Sequence, residues 1–513
     1  MLRQFLITGL AALAASNISC SGNNTKNADA AAEVDSIAAD SIVTAVAKDE
    51  LWPDTTYQSA AVINYSVEII DSAAHLKWDS HNEYEDREGV LTFRGGHRRD
   101  ANYGGRLDSV PTRVEKEWSF QTAYDSRQTR FGVWGGGSGW TGQPLYIAKT
   151  GEIAVGSLCS NVYFIDFKTG KATRPALPTH NPIKGTISLD PKYDNLYVGQ
   201  GVPGEQPFGA MVFDLKAHKE VQFIGRDPKA MRGWNAFDSS PVVAGGFLFW
   251  PGENGALYKY ARSQGKLSLV AAFRYRVNGM APGIENSLCV YGNHGFFGDN
   301  RGNVICINLQ TMHPVWHYNI EDDVDGSIVC SVEDGVPYLY AGCEIDKRGA
   351  EGMAHLVKLN ARNGKLIWQA DYPCKRCDYG SKTLDGGFYC TPLLGSGDCK
   401  DLLFANICRN GAGGTGWASG QFLAINKLTG KQTYMVKLRH HAWSSPVSFM
   451  APNGEMYVFT GDAGGYVYLI KGSTGEVIFS QLMANNFESS PVVVGNVAVV
   501  GTRQNGIHKF VIR

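Results

Sequence analysis

Residues 443–477 read WSSPVSFMAPNGEMYVFTGDAGGYVYLIKGSTGEV. Three apolar runs of strand length, VSFM, MYVFT and YVYLI, are separated by the turn signals APNGE and GDAGG, and a Thr-Gly pair at 474–475 introduces a fourth run. The parts of this unit recur along the chain. SSPVV returns at Ser239 and at Ser489, and glycine-led hairpins return at Gly252, Gly298 and Gly501. The closing turn recurs as DFKTG from Asp166, NARNG from Asn360 and NKLTG from Asn426, with weaker copies from Asp214, Ala261 and Asn308. Successive starts lie 45–66 residues apart. A period of roughly 40–50 residues with four strands per repeat is the pattern of a β-propeller.

Seven full units have inner strands beginning near Pro144, Thr186, Pro241, Leu288, Ile328, Pro392 and Pro446. An eighth begins at Pro491 and has room for only three strands before Arg513. A three-stranded blade in a closed ring leaves unpaired backbone groups on an edge. The strand EKEWSFQT around Trp118 has no inner partner of its own, so it is expected to supply the missing outer strand. The prediction is an all-β, eight-bladed propeller of four-stranded antiparallel blades, the last closed by an N-terminal strand.

Composition agrees with that reading. Sixty glycines among 513 residues suit hairpin-rich structure, and 43% hydrophobic residues suffice for a packed interior. A formal net charge of −1 gives no electrostatic footprint for nucleic acid.

The first twenty residues have the form of a targeting segment, with Arg3 as the positive region, an apolar stretch from Phe5 to Ala15, and small residues before Cys20. This resembles a bacterial lipoprotein signal and implies lipidation at Cys20. Asn17 stands where such signals usually carry leucine, so ordinary cleavage or an uncleaved anchor is the alternative. Residues 21–50 lack aromatics and read as a flexible tether, 51–90 as an irregular lead-in packed on the outside, and 91–513 as the propeller. The expected location is the bacterial envelope, membrane-anchored and at the outer membrane.

FRGG from Phe93 and YGG from Tyr103, before the W-x-F strand and the SSPVV and TGK repeats, resemble the PQQ-like propeller superfamily over 91–513. That superfamily includes quinoprotein alcohol dehydrogenases and the propeller lipoprotein of the outer-membrane β-barrel assembly machinery. The dehydrogenase branch implies a quinone held between a tryptophan and a disulfide of adjacent cysteines, with a calcium ion alongside. No two cysteines are adjacent here, and the one Cys-x-x-Cys, Cys374 and Cys377, precedes Asp378 rather than a histidine, so no haem attachment is present. The quinone PQQ is accordingly not expected. Nucleophile-elbow, metalloprotease and P-loop motifs are also missing.

Aligning the SSPVV positions puts one residue per blade at the mouth of the central channel: Thr141, Lys184, Asp238, Glu285, Asp325, Tyr389, Trp443 and Glu488. Four carboxylates and a lysine there would focus a negative potential and could hold calcium through hard oxygen ligands, or receive a basic or sugar-like ligand. Equally, these acids could cap turns or pair with arginines. The connections from Gly199, Gly342 and Cys408 and the stretch 373–388 are long and open on the same face, with Trp417 on a lip. Cys343, Cys374, Cys377 and Cys408 map there too, as disulfides pinning loops or as a zinc site. Cys289, Cys306 and Cys330 read as buried apolar residues. Two functions follow as expectations. The first is a lipid-anchored scaffold that engages an envelope protein through the long-loop face and needs no cofactor. The second is a metal- or ligand-binding enzyme or sensor that uses the acidic mouth, a glycan being one candidate ligand.

Overall fold

The structure is a computed structural model that describes residues 60–513 apart from 78–80, 102, 130, 203–206, 348, 380–381 and 417–418. The signal, Cys20 and the tether lie outside the described residues, as does Trp417. Eight sheets are arranged as propeller blades, and their inner strands are Leu145–Ile147, Ser188–Leu189, Val242–Ala244, Cys289–Tyr291, Val329–Glu333, Leu393–Leu394, Val447–Met450 and Val492–Val494. Each starts one or two residues after the position expected from the repeat. Blade 8 is closed by Val114–Gln121, which pairs antiparallel with the C-terminal strand Gly506–Ile512.

Four blades hold more than four strands. Ile63–Ile69 adds a seven-residue strand to the outer edge of blade 3, antiparallel to Lys266–Val277, and Gly89–Val90 pairs with the inner strand of blade 1. Residues 60–90, read from sequence as irregular, therefore contribute strands at both edges of the ring. Gly105–Arg106 runs parallel to Val447–Met450 in blade 7. In blade 6, Gly386–Gly387 joins Leu402–Cys408, and Glu344–Ile345, out of blade 5's long loop, joins Gly386–Gly387.

The Thr-Gly or Asn-Gly turns that mark the repeat have a packing cause. Trp118, Trp316 and Trp368 lie on Gly170, Gly364 and Gly430 of the following blade, where a Cβ would sit 2.7–2.8 Å from the indole. Each of those glycines has φ +69°, a left-handed conformation that favours glycine. Each indole N–H then donates to a carbonyl of the same turn: Phe167 O at 3.1 Å, Ala361 O at 2.9 Å and Lys427 O at 2.8 Å. Tyr434 makes the corresponding contact with Gly475 and the Gly472 carbonyl. The repeat thus records a lock between neighbouring blades.

The channel is filled on its far side by residues 91–107. Backbone N–H groups of Leu189, Val290 and Cys330 donate to the carbonyls of Leu91, His97 and Arg98, while Arg106 and Leu107 donate to Gly495 and Met450. Arg94 and Arg99, both fully buried, reach the remaining inner strands. Arg94 bonds the Pro446 and Pro392 carbonyls at 2.8 and 2.7 Å, and Arg99 bonds those of Leu288 and Ser240 at 2.9 and 3.0 Å. The Arg94 N–H also donates to Gln143 Oε1 of blade 1. One segment therefore bonds all eight blades. Because its acceptors belong to inner-strand residues beyond the mouth, the mouth is a cup with a floor.

Candidate functional site: the axial cup

The expected mouth residues do converge, and nearly all are buried: Lys184, Asp238, Glu285, Asp325, Tyr389, Trp443 and Glu488 are each 5% exposed or less. Thr141 is half-buried and donates to the Asp238 carbonyl at 3.3 Å. Each of these residues stands four positions before the first residue of an inner strand, so the ring of strand starts positions the ring of side chains.

Sequence alignment of strand starts missed a second ring. It comes from the ends of the second strands, where Glu253 follows Gly252 and Glu344 follows shortly after Gly342. Aligning the glycines that end those strands would have shown it. The two rings merge into two carboxylate triads, Asp238/Glu253/Glu285 and Asp323/Asp325/Glu344. Within each triad one oxygen from every residue lies within 4.8 Å of the others, and every member is buried.

The triads differ in what neutralises them. Lys184 forms an ion pair with Asp238, lies 3.9 Å from Glu285, and stands 5.6 Å over the Trp140 ring. Burial pulls the Lys184 pKa down, but the Asp238 and Glu285 charges more than offset this and hold it above its ordinary value. The first triad thus carries an internal cation. In the second, Lys347 reaches Asp323 at 3.3 Å.

Burial pushes Asp323 up to about 6 even with Lys347 beside it. Burial, then the neighbouring carboxylates, push Asp325 and Glu344 well above the ordinary range. Glu253 is raised in the same way and shares a hydrogen bond with another acid, Asp238, while Asp323 Oδ1 and Asp325 Oδ1 lack a hydrogen-bond partner. A buried acceptor left unmatched costs roughly 1–3 kcal/mol. These acids therefore favour either a proton or a cation. Compact, oxygen-only donor sets of this kind fit a hard divalent cation.

Glu488, expected in the same ring, is differently placed. Asn486 donates to it at 2.7 Å and Arg503 lies 3.7 Å away, so it is a paired acid in the wall. Blades 6 and 7 make the opposite wall aromatic. Tyr389 and Trp443 stack at 4.8 Å, and with Trp140 and Cys408 they form one cluster. The Tyr389 hydroxyl bonds Glu344, linking the aromatic wall to the second triad. His441 packs 5.4 Å from Trp443 with both ring nitrogens unpartnered, and burial drives its pKa down to about 3, so it is neutral.

The cysteines do not gather as the long-loop mapping suggested. Cys343, Cys374 and Cys408 are buried free thiols in the cores of blades 5 and 6, and Cys377 is half-buried on the hairpin arm Cys377–Tyr379. Among the described residues, no trio containing a cysteine meets the spacing of a metal site. The glycine run Gly135–Gly139 is a close-packed turn, whose Gly136–Gly137 pairs with Arg503–Gln504.

No protein-family model matches the sequence, and no curated protein is similar enough to match it. Solved structures do match in shape. A europium-containing methanol dehydrogenase aligns with TM-score 0.60 at 12% identity, covering 84% of this chain and 99% of that one. The quinohemoprotein alcohol dehydrogenase of Comamonas testosteroni aligns at 0.57 and 15%, covering 82% and 80%. BamB from Moraxella catarrhalis aligns at 0.50 and 12%, covering 78% and 100%. At such identities the likeness speaks for fold alone, that of an eight-bladed β-propeller.

Proposed function

We propose that this protein is a binding propeller whose ligand enters the axial cup, with a hard divalent cation of the calcium type held by Asp323, Asp325 and Glu344. The observation that carries the reading is the buried second triad, whose Asp323 and Asp325 each keep an unpartnered oxygen. Among the described residues, the ammonium paired with it is that of Lys347, at Asp323. A cation there would supply the missing charge, and its open positions would face the Tyr389/Trp443 wall. Lys184 and the first triad would then contact the polar part of a small organic ligand. The cup favours this cation-dependent binding over the cofactor-free scaffold expected first from sequence. Calcium titration by calorimetry on chelator-treated protein tests it. Binding of calcium that is lost in Asp325→Asn is expected, and heat-silent titration of wild type would sink the reading.

A second reading is supported by the ridge beside the cup. Blade 5's loop strand Glu344–Ile345 is stitched to Gly386–Gly387, and the hairpin Cys377–Tyr379 with Lys382–Leu384 projects next to it. A structured ridge on the mouth face suits docking of an envelope protein, as the resemblance to the assembly-machinery lipoprotein implies. In that setting the chain would be exported and lipidated at Cys20. Cross-linking from residues 377–384 in the native envelope tests this reading, which fails if no discrete protein adduct forms.

A further inference from the structure

On the far side of the ring, away from the cup, Cys289 and Cys330 stand on the inner strands of adjacent blades 4 and 5, and both are fully buried. They surround one plug carbonyl. The Cys289 thiol lies 3.5 Å from Arg98 O, and the Cys330 backbone N–H donates to that same oxygen at 3.0 Å. Both are free thiols in the structure, and they flank the same oxygen from neighbouring inner strands. Two cysteines that meet at one point on adjacent strands stand where a cross-link would join the blades.

We propose that Cys289 and Cys330 form an inter-blade disulfide that fastens blades 4 and 5 around the plug. The chemistry balances by thiol–disulfide exchange with a disulfide-bearing oxidant, such as an oxidising dithiol protein or oxidised glutathione. One cysteine, as thiolate, attacks the oxidant's disulfide and forms a mixed disulfide. The other, also deprotonated, displaces the oxidant's remaining sulfur. Two S–H bonds are lost, one S–S bond forms, two protons leave, and two electrons pass to the oxidant, which departs as thiols.

The burial that brings the pair together also sets when the reaction occurs. The Cys330 thiol is raised well above its ordinary pKa by its bond to Cys289 and then by burial, so the seated pair holds little thiolate. The link therefore forms while the chain folds, before residues 97–98 cover it. Folded, reduced protein resists the same oxidant.

The test uses the full chain, unfolded and reduced, then refolded in a glutathione redox buffer or in reductant alone. Alkylation under denaturing conditions and peptide mass analysis follow. The expected result is a peptide pair linked through Cys289 and Cys330, 2 Da lighter than the sum of its reduced members, after oxidative refolding only. The linked form should also unfold more slowly in guanidinium than the reduced form. Quantitative alkylation of both cysteines in correctly folded, oxidatively refolded protein would overturn the proposal, as would linkage of either to a different cysteine. Because Cys289→Ser alone could perturb packing, Cys330→Ala is run beside it. Each should free the remaining thiol for alkylation, and a cross-link persisting in either variant would also count against the pair.

Discussion

Asp325 is the residue on which the proposed cation site turns. It is buried, flanked by Asp323 and Glu344, and has an oxygen with no partner. Asp325→Asn should weaken calcium binding at least about tenfold, equivalent to about 1.4 kcal/mol, measured calorimetrically. Glu488→Gln should change it less than about threefold, because Glu488 already faces Arg503 and Asn486. The pH dependence has a definite sign. Asp323 titrates at about 6 in the fold against an ordinary 3.8, so the fold holds a proton there that the unfolded chain has released. Its contribution to stability is full below about pH 4 and is lost as pH rises through about 6. A cation needs the carboxylate, so calcium affinity should rise over the same interval. Calcium should raise the melting temperature more at pH 7 than at pH 5, and equal shifts would contradict this.

At the scale of elements, the plug and the inter-blade locks carry most of the specificity. Arg99 satisfies carbonyls from blades 3 and 4 while fully buried, so Arg99→Met should destabilise by about 3 kcal/mol in denaturant unfolding. Trp316→Ala should cost about 3–5 kcal/mol by removing a buried indole from Gly364, and Trp316→Phe clearly less. Equal losses for the two would show that the turn does not depend on the ring. These elements also show where sequence reading stops. The inner strands, the eighth-blade closure and the ring of strand starts were legible because hairpin turns and period-two apolar runs are local signals. The plug was not legible, and the second carboxylate ring shows only when the glycines that end the second strands are aligned. Arg94 and Arg99 act through carbonyls nearly 50 to 350 residues away. Glu253 and Glu344 meet Asp238 and Asp325 across the first hairpin of their own blades, and Glu285 joins the first triad only when blade 4 packs beside blade 3. The cysteines misled for the same reason, since clustering between 343 and 408 in sequence became separate burial in two blade cores.

For the whole molecule, closure gathers the acids of blades 3 to 5, the Lys184 ammonium and the aromatic residues of blades 6 and 7 around one axial cup. The plug closes the far end, so a ligand of the proposed site would exchange through the mouth, beside the ridge built from blades 5 and 6. This arrangement couples stability to occupancy, because any species that binds the triads in the fold and not in the open chain raises stability by mass action. The most direct measurement is calorimetric titration of chelator-treated, full-length protein with calcium at pH 7, repeated with Asp325→Asn. Saturable binding in wild type that weakens at least about tenfold in the variant is the predicted result. No binding in folded wild type, or unchanged binding in the variant, would contradict the assignment of the axial cup as a cation-dependent ligand site.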